Sequence, residues 1–302
     1  MDPIEYVERR TGQIEIEKIY GRWALSLLYG ESRMARVFSF IFLPILAWIP
    51  WFSKLYGFLQ KRPKSARKVA PFIAAFHVDV TEFAETNFGS FNDFFIRKLK
   101  SEARPIDPDP KRAALPADGR YLVFPNLRTT DRFYVKGQQF DLLSFLRDSA
   151  LAHRFAEGSM LIARLCPTDY HRFHFPCDGT PGPAQLIEGP LFSVNPIALR
   201  KRLSILSENR RMITEFETKN FGTIFYVEVG ATCVGAIHQT YQPERPVKKG
   251  EEKGYFSFGG SSLVLLFEKG AIRFDEDLVS NSQKGLETKA LFGTSLGSSL
   301  IR

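Results

Sequence analysis

Three short stretches of the sequence carry side chains suited to proton transfer and nucleophilic attack. Asp118 precedes a glycine, and His171 and His174 stand three positions apart. Ser261 follows Gly260 at the start of an apolar stretch. Histidine is the side chain best placed to move protons near neutral pH. Because glycine has no Cβ, Gly260 can adopt strained backbone angles that expose its carbonyl carbon to the Ser261 hydroxyl. These residue types predict an activated serine nucleophile.

The residues around the two histidines also suggest a zinc site. Cys166 and Cys177 flank His171 and His174, and cysteine with histidine is a common zinc-ligand set. However, neither cysteine belongs to a CxxC pair, and nearby prolines disfavour a regular helix that would put both histidines on one face. A catalytic pair therefore fits better, and we expect no metal. Three cysteines in all, an odd and sparse set, indicate a reducing compartment rather than a disulfide framework.

The chain after a proline-rich connector at residues 104–110 reads as short strands separated by proline and glycine. The predicted strands are 121–124, 160–166, 184–194, 212–218, 223–229, 232–238, 261–268 and 271–274. One amphipathic helix is predicted over 141–155 and a helical region over 69–86. Ser90 with Asp93 predicts a helix N-terminus. The sequence therefore predicts an α+β fold with an antiparallel β-rich core, barrel-like or sandwich-like.

The N-terminal part of the chain combines an apolar, aromatic stretch with many basic residues. Residues 37–52 form an apolar run broken by two prolines, whereas a straight transmembrane helix needs roughly 17–25 apolar residues. Basic residues flank the run, most densely over 61–68, and the net charge is +8. This pattern predicts a helical region lying in the surface of an anionic membrane. A buried helical hairpin would fit the same run.

The polybasic stretch also predicts a domain boundary. We expect an N-terminal membrane-associated region over 1–68 and a catalytic domain over 69–302. Residues 1–19 are polar and lack the apolar segment of a secretory signal. The chain has 28 phenylalanines, many in its N-terminal third, which suggests apolar surface that meets something other than the protein's own core.

Taken together, these stretches resemble the phosphatidylserine decarboxylase family, over about residues 60–292. The motifs are, in chain order, FNDFFIRKLK-x-EARPI at 91–106, LPADGR at 115–120, CPTDYHRFHFPC at 166–177, EGPLFSVN at 188–195, VGATCVG at 229–235 and KKGEEKGYFSFGGSS at 248–262. Each motif is weak alone, whereas their order and spacing are specific. The resemblance implies that Asp118, His174 and Ser261 form a charge relay for self-cleavage. The same resemblance implies that His171 is a second histidine of the active site.

The resemblance further implies cleavage between Gly260 and Ser261, which yields a β chain of residues 1–260 and an α chain of residues 261–302. Ser261 would become a covalent pyruvoyl group, the pyruvate cofactor of the family, and the Schiff-base centre. With it the enzyme would convert phosphatidylserine to phosphatidylethanolamine and CO₂ in phospholipid biosynthesis. We expect His171 to donate the proton to the carbanion, with His174 as the rival.

Two positions depart from the family's Leu-Gly-Ser-Thr cleavage motif, with Gly259 in place of leucine and Ser262 in place of threonine. The reacting bond is unchanged, so we expect cleavage to be retained. A second Gly-Ser pair, Gly297-Ser298, lies in a sequence that is closer to the motif in residue identity. Cleavage there would leave too few residues after the bond to stay bound against the cost of ordering them. We therefore expect cleavage at the first pair.

The expected partners are the phosphatidylserine substrate, an anionic membrane surface, and the α and β chains of one precursor. A homodimer is an expectation carried from the family. The expected location is the cell membrane, peripheral or monotopic, on its cytoplasmic side. Two other functions remain open from the residues: a serine hydrolase that uses Asp118, His174 and Ser261, and a non-catalytic membrane-bound β module. The basic charge would also suit a nucleic-acid partner, but no such motif is present.

Overall fold

The computed structural model describes residues 3–19, 50–129, 141–199, 202, 204–231, 236–259 and 261–301. The helices in this part of the chain are α1 (Pro50–Lys61), α2 (Val69–Phe76), α3 (Phe91–Phe95), α4 (Leu142–Leu146), α5 (Ser149–Phe155), α6 (Pro196–Leu199), α7 (Ile205–Glu208) and α8 (Glu276–Gln283). Short 3₁₀ helices span Pro63–Lys68, Ser101–Ala103 and Leu127–Thr129. The apolar run 37–52 lies outside the described residues except for its last three positions.

The strands are β1 (Glu5–Glu8), β2 (Ile14–Ile16), β3 (Arg112–Ala114), β4 (Gly119–Phe124), β5 (Ser159–Leu165), β6 (Arg172–His174), β7 (Gly179–Pro181), β8 (Gln185–Ile187), β9 (Arg211–Thr218), β10 (Gly222–Gly230), β11 (Ile237–Gln239), β12 (Glu252–Phe256), β13 (Ser261–Phe267), β14 (Ile272–Phe274), β15 (Glu287–Ala290) and β16 (Ser295–Ser299). Ten of them form one large sheet in the order β2-β1-β15-β4-β5-β13-β10-β9-β7, with β8 beside β9. All its pairs are antiparallel except β1 with β15. Two further sheets have three strands each, β11-β12-β6 and β14-β16-β3.

The large sheet is covered on both faces, which explains why β13 is apolar at nearly every position. Along β13, Leu263 and Leu265 face one buried cluster, while Val264 and Leu266 face another. The first cluster also contains residues of the two small sheets, among them Phe173, Phe256, Ile272 and Leu296. The second contains helical residues, among them Phe145, Phe155, Leu199 and Leu206. The core is therefore three layers: small sheets, large sheet and helices.

A third cluster lies beside the small-sheet layer and consists of phenylalanines. Its buried members are Phe72, Phe83, Phe91, Phe94, Phe95 and Phe258. Five of them come from α2, α3 and the segment between these helices, and Phe258 follows β12. Helix α1 contacts the cluster through Tyr56. The excess of phenylalanine over residues 72–95 is thus used in the protein's own core, contrary to the sequence-based expectation.

The fold class predicted from sequence is confirmed at the coarse level, since the structure is mixed α/β with large antiparallel sheets. The barrel alternative is wrong for the described residues, because the ends of the large sheet, β2 and β7, do not pair with each other. The predicted boundary at residue 68 stays a prediction. The connector at residues 104–110 is confirmed as irregular chain.

The predicted strand over 184–194 is too long. Only β8 pairs with β9, and the chain then continues without a partner strand. The side chain of Asn209 takes the place of a strand there, because it accepts from the Phe192 amide and donates to the Phe192 carbonyl. The first half of the predicted strand 232–238 lies outside the described residues, and its end forms β11.

The predicted helices are interrupted where single residues adopt left-handed backbone. The helix over 141–155 is two helices, since Arg147 has φ 54° and Asp148 caps α5 by accepting from the Leu151 amide. The helical region over 69–86 ends at His77, which has φ 52°. The predicted start of α3 is confirmed, because the Ser90 hydroxyl accepts from the Asp93 amide at 3.1 Å.

Candidate active site

Ser261 lies at the centre of the molecule, at the first position of β13. This strand runs between β5 and β10, where Ser261 pairs with Leu165 and Gly230. The side chain is fully buried. Since residues two apart on a strand share a face, the Ser261 hydroxyl points into the small-sheet layer together with Leu263. The strand therefore presents the Ser261 hydroxyl to the loop that precedes β6.

His171 is the histidine that the structure places beside Ser261. Its Nδ1 is 3.4 Å from Ser261 Oγ, and its Nε2 is 2.8 Å from the carbonyl oxygen of Cys166. Because a carbonyl can only accept, Nε2 carries the proton, and the lone pair of Nδ1 faces the serine hydroxyl. The Phe95 ring stacks on the imidazole with centroids 3.7 Å apart. This arrangement suits a base that accepts the Ser261 proton.

Burial keeps His171 neutral. Loss of solvation lowers the pKa of His171 to about 3, and the nearby Arg97 guanidinium acts in the same direction. The hydrogen bond to Cys166 opposes both effects. A histidine that is neutral across the physiological range has a free lone pair that can accept a proton. Its low pKa means that the resulting imidazolium would be short-lived.

His174 is three residues away but has different partners. Its Nδ1 donates to the Gly250 carbonyl at 3.0 Å, which leaves Nε2 to accept from the Tyr170 hydroxyl at 3.2 Å. Its ring stacks on Phe292 at 3.7 Å between centroids. Burial lowers the pKa of His174 to about 4. No hydrogen bond joins it to Ser261 in the described part of the chain.

Asp118 is held by an arginine rather than by a histidine. Arg104 donates to both of its carboxylate oxygens, at 3.0 and 2.6 Å, and the Phe292 amide donates at 2.8 Å. Phe292 thus links Asp118 to His174, because its amide contacts the first and its ring contacts the second. The structure brings Ser261 together with His171 and leaves Asp118 and His174 as neighbours through Phe292.

Two contacts hold Phe258, shortly before Ser261. The Phe258 amide donates to the Asn92 side chain at 3.1 Å, and the Phe258 ring packs against Phe95. Gly259 has φ 138°, a conformation that residues with a side chain rarely adopt, so glycine suits this position better than the family's leucine. Gly260 itself lies outside the described residues.

The second Gly-Ser pair has a structural explanation. Gly297 lies in β16 against β14, where a Cβ would approach the Arg273 carbonyl oxygen to 2.4 Å. Close packing of two strands therefore requires this glycine. The described residues contain no cluster of three or more metal-binding side chains.

Several residues that shape the site were not predicted from the sequence. Phe95 and Arg97 come from α3 and the residues after it, Arg104 from the connector, and Phe292 from the chain after β15. The resemblance already included FNDFFIRKLK and EARPI, which hold the first three. That signal could have directed attention to them, but it did not reveal their contacts.

Comparison with known proteins identifies the family. A family model described as phosphatidylserine decarboxylase matches residues 91–298. A phosphatidylserine decarboxylase proenzyme of Chlamydia felis is 44% identical over 99% of both chains. The proenzyme of Chlamydia muridarum is 48% identical over 97% of this chain and 96% of its own length, and that of Chlamydia pneumoniae is 44% identical over 99% and 98%.

The chain belongs to the phosphatidylserine decarboxylase family. The resemblance found in the sequence is thereby confirmed, as is the prediction of a self-processing carboxy-lyase. The family match begins at α3, so it includes Phe95, Arg97 and all four predicted site residues. In the described part of the chain no helix is long and apolar enough to cross a membrane.

Proposed function

We propose that this protein cuts itself between Gly260 and Ser261, forms a pyruvoyl group at Ser261, and then decarboxylates phosphatidylserine to phosphatidylethanolamine. One observation carries the proposal: the buried Ser261 hydroxyl, directly after Gly260, lies 3.4 Å from an imidazole nitrogen whose lone pair faces it. Family membership supports this function over a serine hydrolase or a non-catalytic module.

The proposed self-cleavage uses only groups of this chain and water. His171 Nδ1 accepts the Ser261 hydroxyl proton while Oγ attacks the Gly260 carbonyl carbon, and the Ser261 nitrogen leaves with the proton, so that an ester replaces the amide. Loss of the Ser261 α-proton then expels the Gly260 carboxylate and leaves dehydroalanine on the α chain. Water hydrolyses its imine tautomer, which releases ammonia and leaves the ketone.

Ser261 fits the formation of a pyruvoyl group because it is buried among apolar side chains, where the carbonyl would be shielded from bulk water. The group supplies an electron sink for loss of CO₂ from an amino-acid headgroup. His171 lies beside this position, and we propose that it accepts a proton from the ammonium group of the substrate and then donates that proton to the product carbon. Because burial lowers the pKa of His171, the protonated ring would give up the proton readily.

The charge relay implied by the resemblance is a rival account of self-cleavage. It assigns the Ser261 proton to His174, oriented by Asp118. In the described geometry His174 and Asp118 are bound elsewhere, so that route requires the His174 ring to leave Tyr170 and Gly250. The two accounts make opposite predictions for the first proton transfer, since only one histidine can be indispensable as the base.

The substrate would enter from a membrane surface next to α1. On this helix Leu55, Phe58 and Leu59 are exposed along one face, beside exposed lysines and arginines of residues 61–68. The same helix contacts Phe258 through Tyr56, two residues before the proposed cleavage site. An apolar, basic surface adjoining the active site suits a two-tailed anionic lipid. The homodimer and the cytoplasmic face of the membrane stay predictions.

Intact mass analysis tests the function directly. The wild-type protein should give two fragments, with pyruvate at the N-terminus of the smaller one, and should release CO₂ from phosphatidylserine. Ser261→Ala should give one intact chain without activity. Ser262→Ala is the matched control, because Ser262 is equally buried but faces the helical layer. An intact wild-type chain that still decarboxylates the lipid would refute the proposal.

The same assay separates the two histidines. If His171 is the base, His171→Ala stays intact while His174→Ala is still cut, and the charge-relay account expects the reverse. Cleavage of both variants at the wild-type rate would exclude both histidines from the first step.

A further inference from the structure

A row of polar side chains crosses the outer face of the small sheet β11-β12-β6. Arg172 on β6 pairs with Tyr255 on β12, which pairs in turn with His238 on β11. The charged carbon of Arg172 lies 5.1 Å from the centre of the Tyr255 ring, and the His238 ring stacks on the same ring with centroids 4.6 Å apart. Since the adjacent residues Phe173 and Phe256 face the core, this row faces away from it.

The same face of the sheet leads to the active site. In the next row His174 pairs with Glu252, beside an irregularity in β12. Glu252 is the only carboxylate on these three strands. Both of its oxygens accept from Arg172 at 2.9 Å, so its charge is already compensated. The row that ends at His238 therefore adjoins the active site and has no spare negative charge on its strands.

His238 forms a pair with Ser257 that keeps one hydrogen-bond donor free. Its Nε2 is 2.9 Å from the Ser257 hydroxyl oxygen. A neutral imidazole has one N–H and a hydroxyl has one O–H, and the bond between the two groups uses only one of these donors. In either tautomer the other donor has no partner among the described residues. The pair can therefore donate to a bound acceptor.

A second basic group approaches His238 from α1. Lys61 is exposed at the last position of this helix and forms no ion pair with the described residues. Burial lowers the pKa of His238, and the Lys61 ammonium acts in the same direction. No carboxylate of the described chain opposes these two effects. The structure thus brings two basic groups together without an acid to neutralise them.

The order of apolar and basic groups from α1 to the active site matches the order of the parts of a phospholipid. The exposed apolar side chains of α1 come first, and Leu55, Phe58 and Leu59 are among them. Lys61 and His238 follow, and the active site comes last. A lipid with a serine headgroup has its acyl chains, its phosphate and its amino acid in the same order. Basic groups with a free donor suit the phosphate.

We propose that His238, Lys61 and the Ser257 hydroxyl form a subsite for the phosphate of the phospholipid headgroup. This inference rests on the proposed decarboxylase function, because it concerns how that substrate is held. The phosphate is unchanged by the reaction, so the subsite binds the substrate and the transition state equally. It therefore determines the affinity for the lipid rather than the rate of the chemical step.

Decarboxylation kinetics of the mature protein test the subsite. The substrate is dihexanoylphosphatidylserine below its micellar concentration, so that adsorption to a lipid surface does not contribute. His238→Gln and Lys61→Gln should each raise KM roughly fivefold, as expected for the loss of one polar contact to the phosphate. The kcat of both variants should stay at the wild-type value, a separation that general damage to the fold would not produce.

Two further variants control for indirect effects. His153→Gln changes an exposed histidine on α5 and should leave both kinetic constants unchanged. Lys64→Gln removes one positive charge from the same basic stretch as Lys61, so it measures any general attraction of the anionic substrate. Lys61→Gln should raise KM more than Lys64→Gln does, because only Lys61 acts on His238.

A binding measurement is independent of catalysis. In the uncleavable Ser261→Ala precursor, ¹⁵N spectra report the protonation of the 5 histidines. Glycerophosphoserine should raise the pKa of His238, because the phosphate favours the imidazolium, whereas serine without phosphate should not. Inorganic phosphate at the same concentration distinguishes a lipid headgroup from a free anion, and its effect should be smaller.

The two measurements can each overturn the proposal. An unchanged KM in His238→Gln, or an unchanged His238 signal with glycerophosphoserine, would exclude the subsite. An equal response to inorganic phosphate would overturn its assignment to a lipid headgroup. A wild-type protein without decarboxylase activity would instead overturn the proposed function, and the spectra would still decide the subsite. Selective effects in both measurements support it.

Discussion

His171 and His174 are both buried, and the free energy needed to charge them inside the protein determines how each can act. Neither has a carboxylate at hydrogen-bonding distance in the described structure, so neither imidazolium would be stabilised by a direct ion pair. Each instead has one ring nitrogen fixed by a backbone carbonyl. The chain thus fixes two tautomers with main-chain atoms, which side-chain substitutions cannot remove directly.

This burial predicts a specific loss of stability in acid. The pKa values of His171 and His174 fall from 6.5 to about 3 and about 4 on folding, so the unfolded chain binds more protons below pH 6.5. The free energy of unfolding should therefore fall by about 1.4 kcal/mol per pH unit for each histidine as pH drops from 6.5 towards 4. Urea unfolding of the Ser261→Ala precursor at several pH values measures this slope.

Replacing one histidine isolates its share of the acid effect. His171→Gln in that precursor should reduce the slope by the contribution of one group. His153→Gln is the control, because His153 is exposed on α5 and should leave the slope unchanged. A slope that is the same in all three proteins would show that His171 is not buried in its neutral form.

The sequence identified a set of candidate residues, but it did not predict which of them would be in contact. Ser261, His171 and His174 were identified from residue type and motif, and all are buried near one another. The pairing of Ser261 with His171 depends on the Cys166 carbonyl and on Phe95, and no spacing rule encodes either contact. The ion pair between Arg104 and Asp118 likewise depends on the path of the connector at residues 104–110, which local sequence patterns do not predict.

Among the strands, a buried ion pair joins β12 to β10. Lys253 lies 2.6 Å from Glu228, and both are fully buried, with Thr214 and Gln239 completing the hydrogen bonds. Burial raises the pKa of Glu228 and lowers that of Lys253, so each charge depends on the other. This pair fixes the strand that leads towards the proposed cleavage site.

Breaking this pair should destabilise the protein strongly. Lys253→Met leaves Glu228 buried without its cation and should cost about 3–5 kcal/mol in urea unfolding of the Ser261→Ala precursor. Adding Glu228→Gln should recover part of that loss, because the lone charge is removed. Lys248→Met, at an exposed pair with Asp178, should cost roughly 1 kcal/mol or less. A double variant as unstable as the sum of both single changes would contradict this coupling.

The exposed face of α1 should bind anionic vesicles. Phe58 is 58% exposed and lies between Leu55 and Leu59 on that face. Phe58→Ser should weaken cosedimentation with phosphatidylserine-containing vesicles roughly tenfold, in line with the loss of one large apolar side chain from the interface. Self-cleavage should be unaffected. Leu143→Ser removes a similarly exposed apolar side chain from α4 and serves as control. Equal weakening by both would place the membrane contact elsewhere.

The strands were easier to predict than the helices, for a physical reason. β9, β10 and β13 are long and paired on both sides, so their apolar pattern reflects burial directly. The breaks at His77 and Arg147 arise from left-handed residues that are not glycine, and residue type signals such positions much more weakly than a glycine would. The end of the predicted strand 184–194 was missed because an asparagine side chain satisfies the backbone there.

Over the whole molecule, the two products of the proposed cleavage are interleaved rather than adjacent. Of the strands that would belong to the α chain, β13 lies between β5 and β10, and β15 lies between β1 and β4. β16 pairs with β3. At the other end, Arg9 of the β chain forms ion pairs with Asp275 and Asp277 at 2.9 and 2.7 Å. Separation would therefore require several strand ladders to open together.

This topology predicts that the cut protein stays one particle until it unfolds. The wild-type protein should elute from a sizing column at the same volume as the Ser261→Ala precursor, with both fragments in one peak. Once unfolding separates the fragments, refolding becomes bimolecular, so the urea midpoint of the cut protein should rise with protein concentration. The midpoint of the uncut precursor should stay constant if it unfolds as a single chain. Release of the smaller fragment in buffer without denaturant would show that the interleaved strands do not hold the chains together.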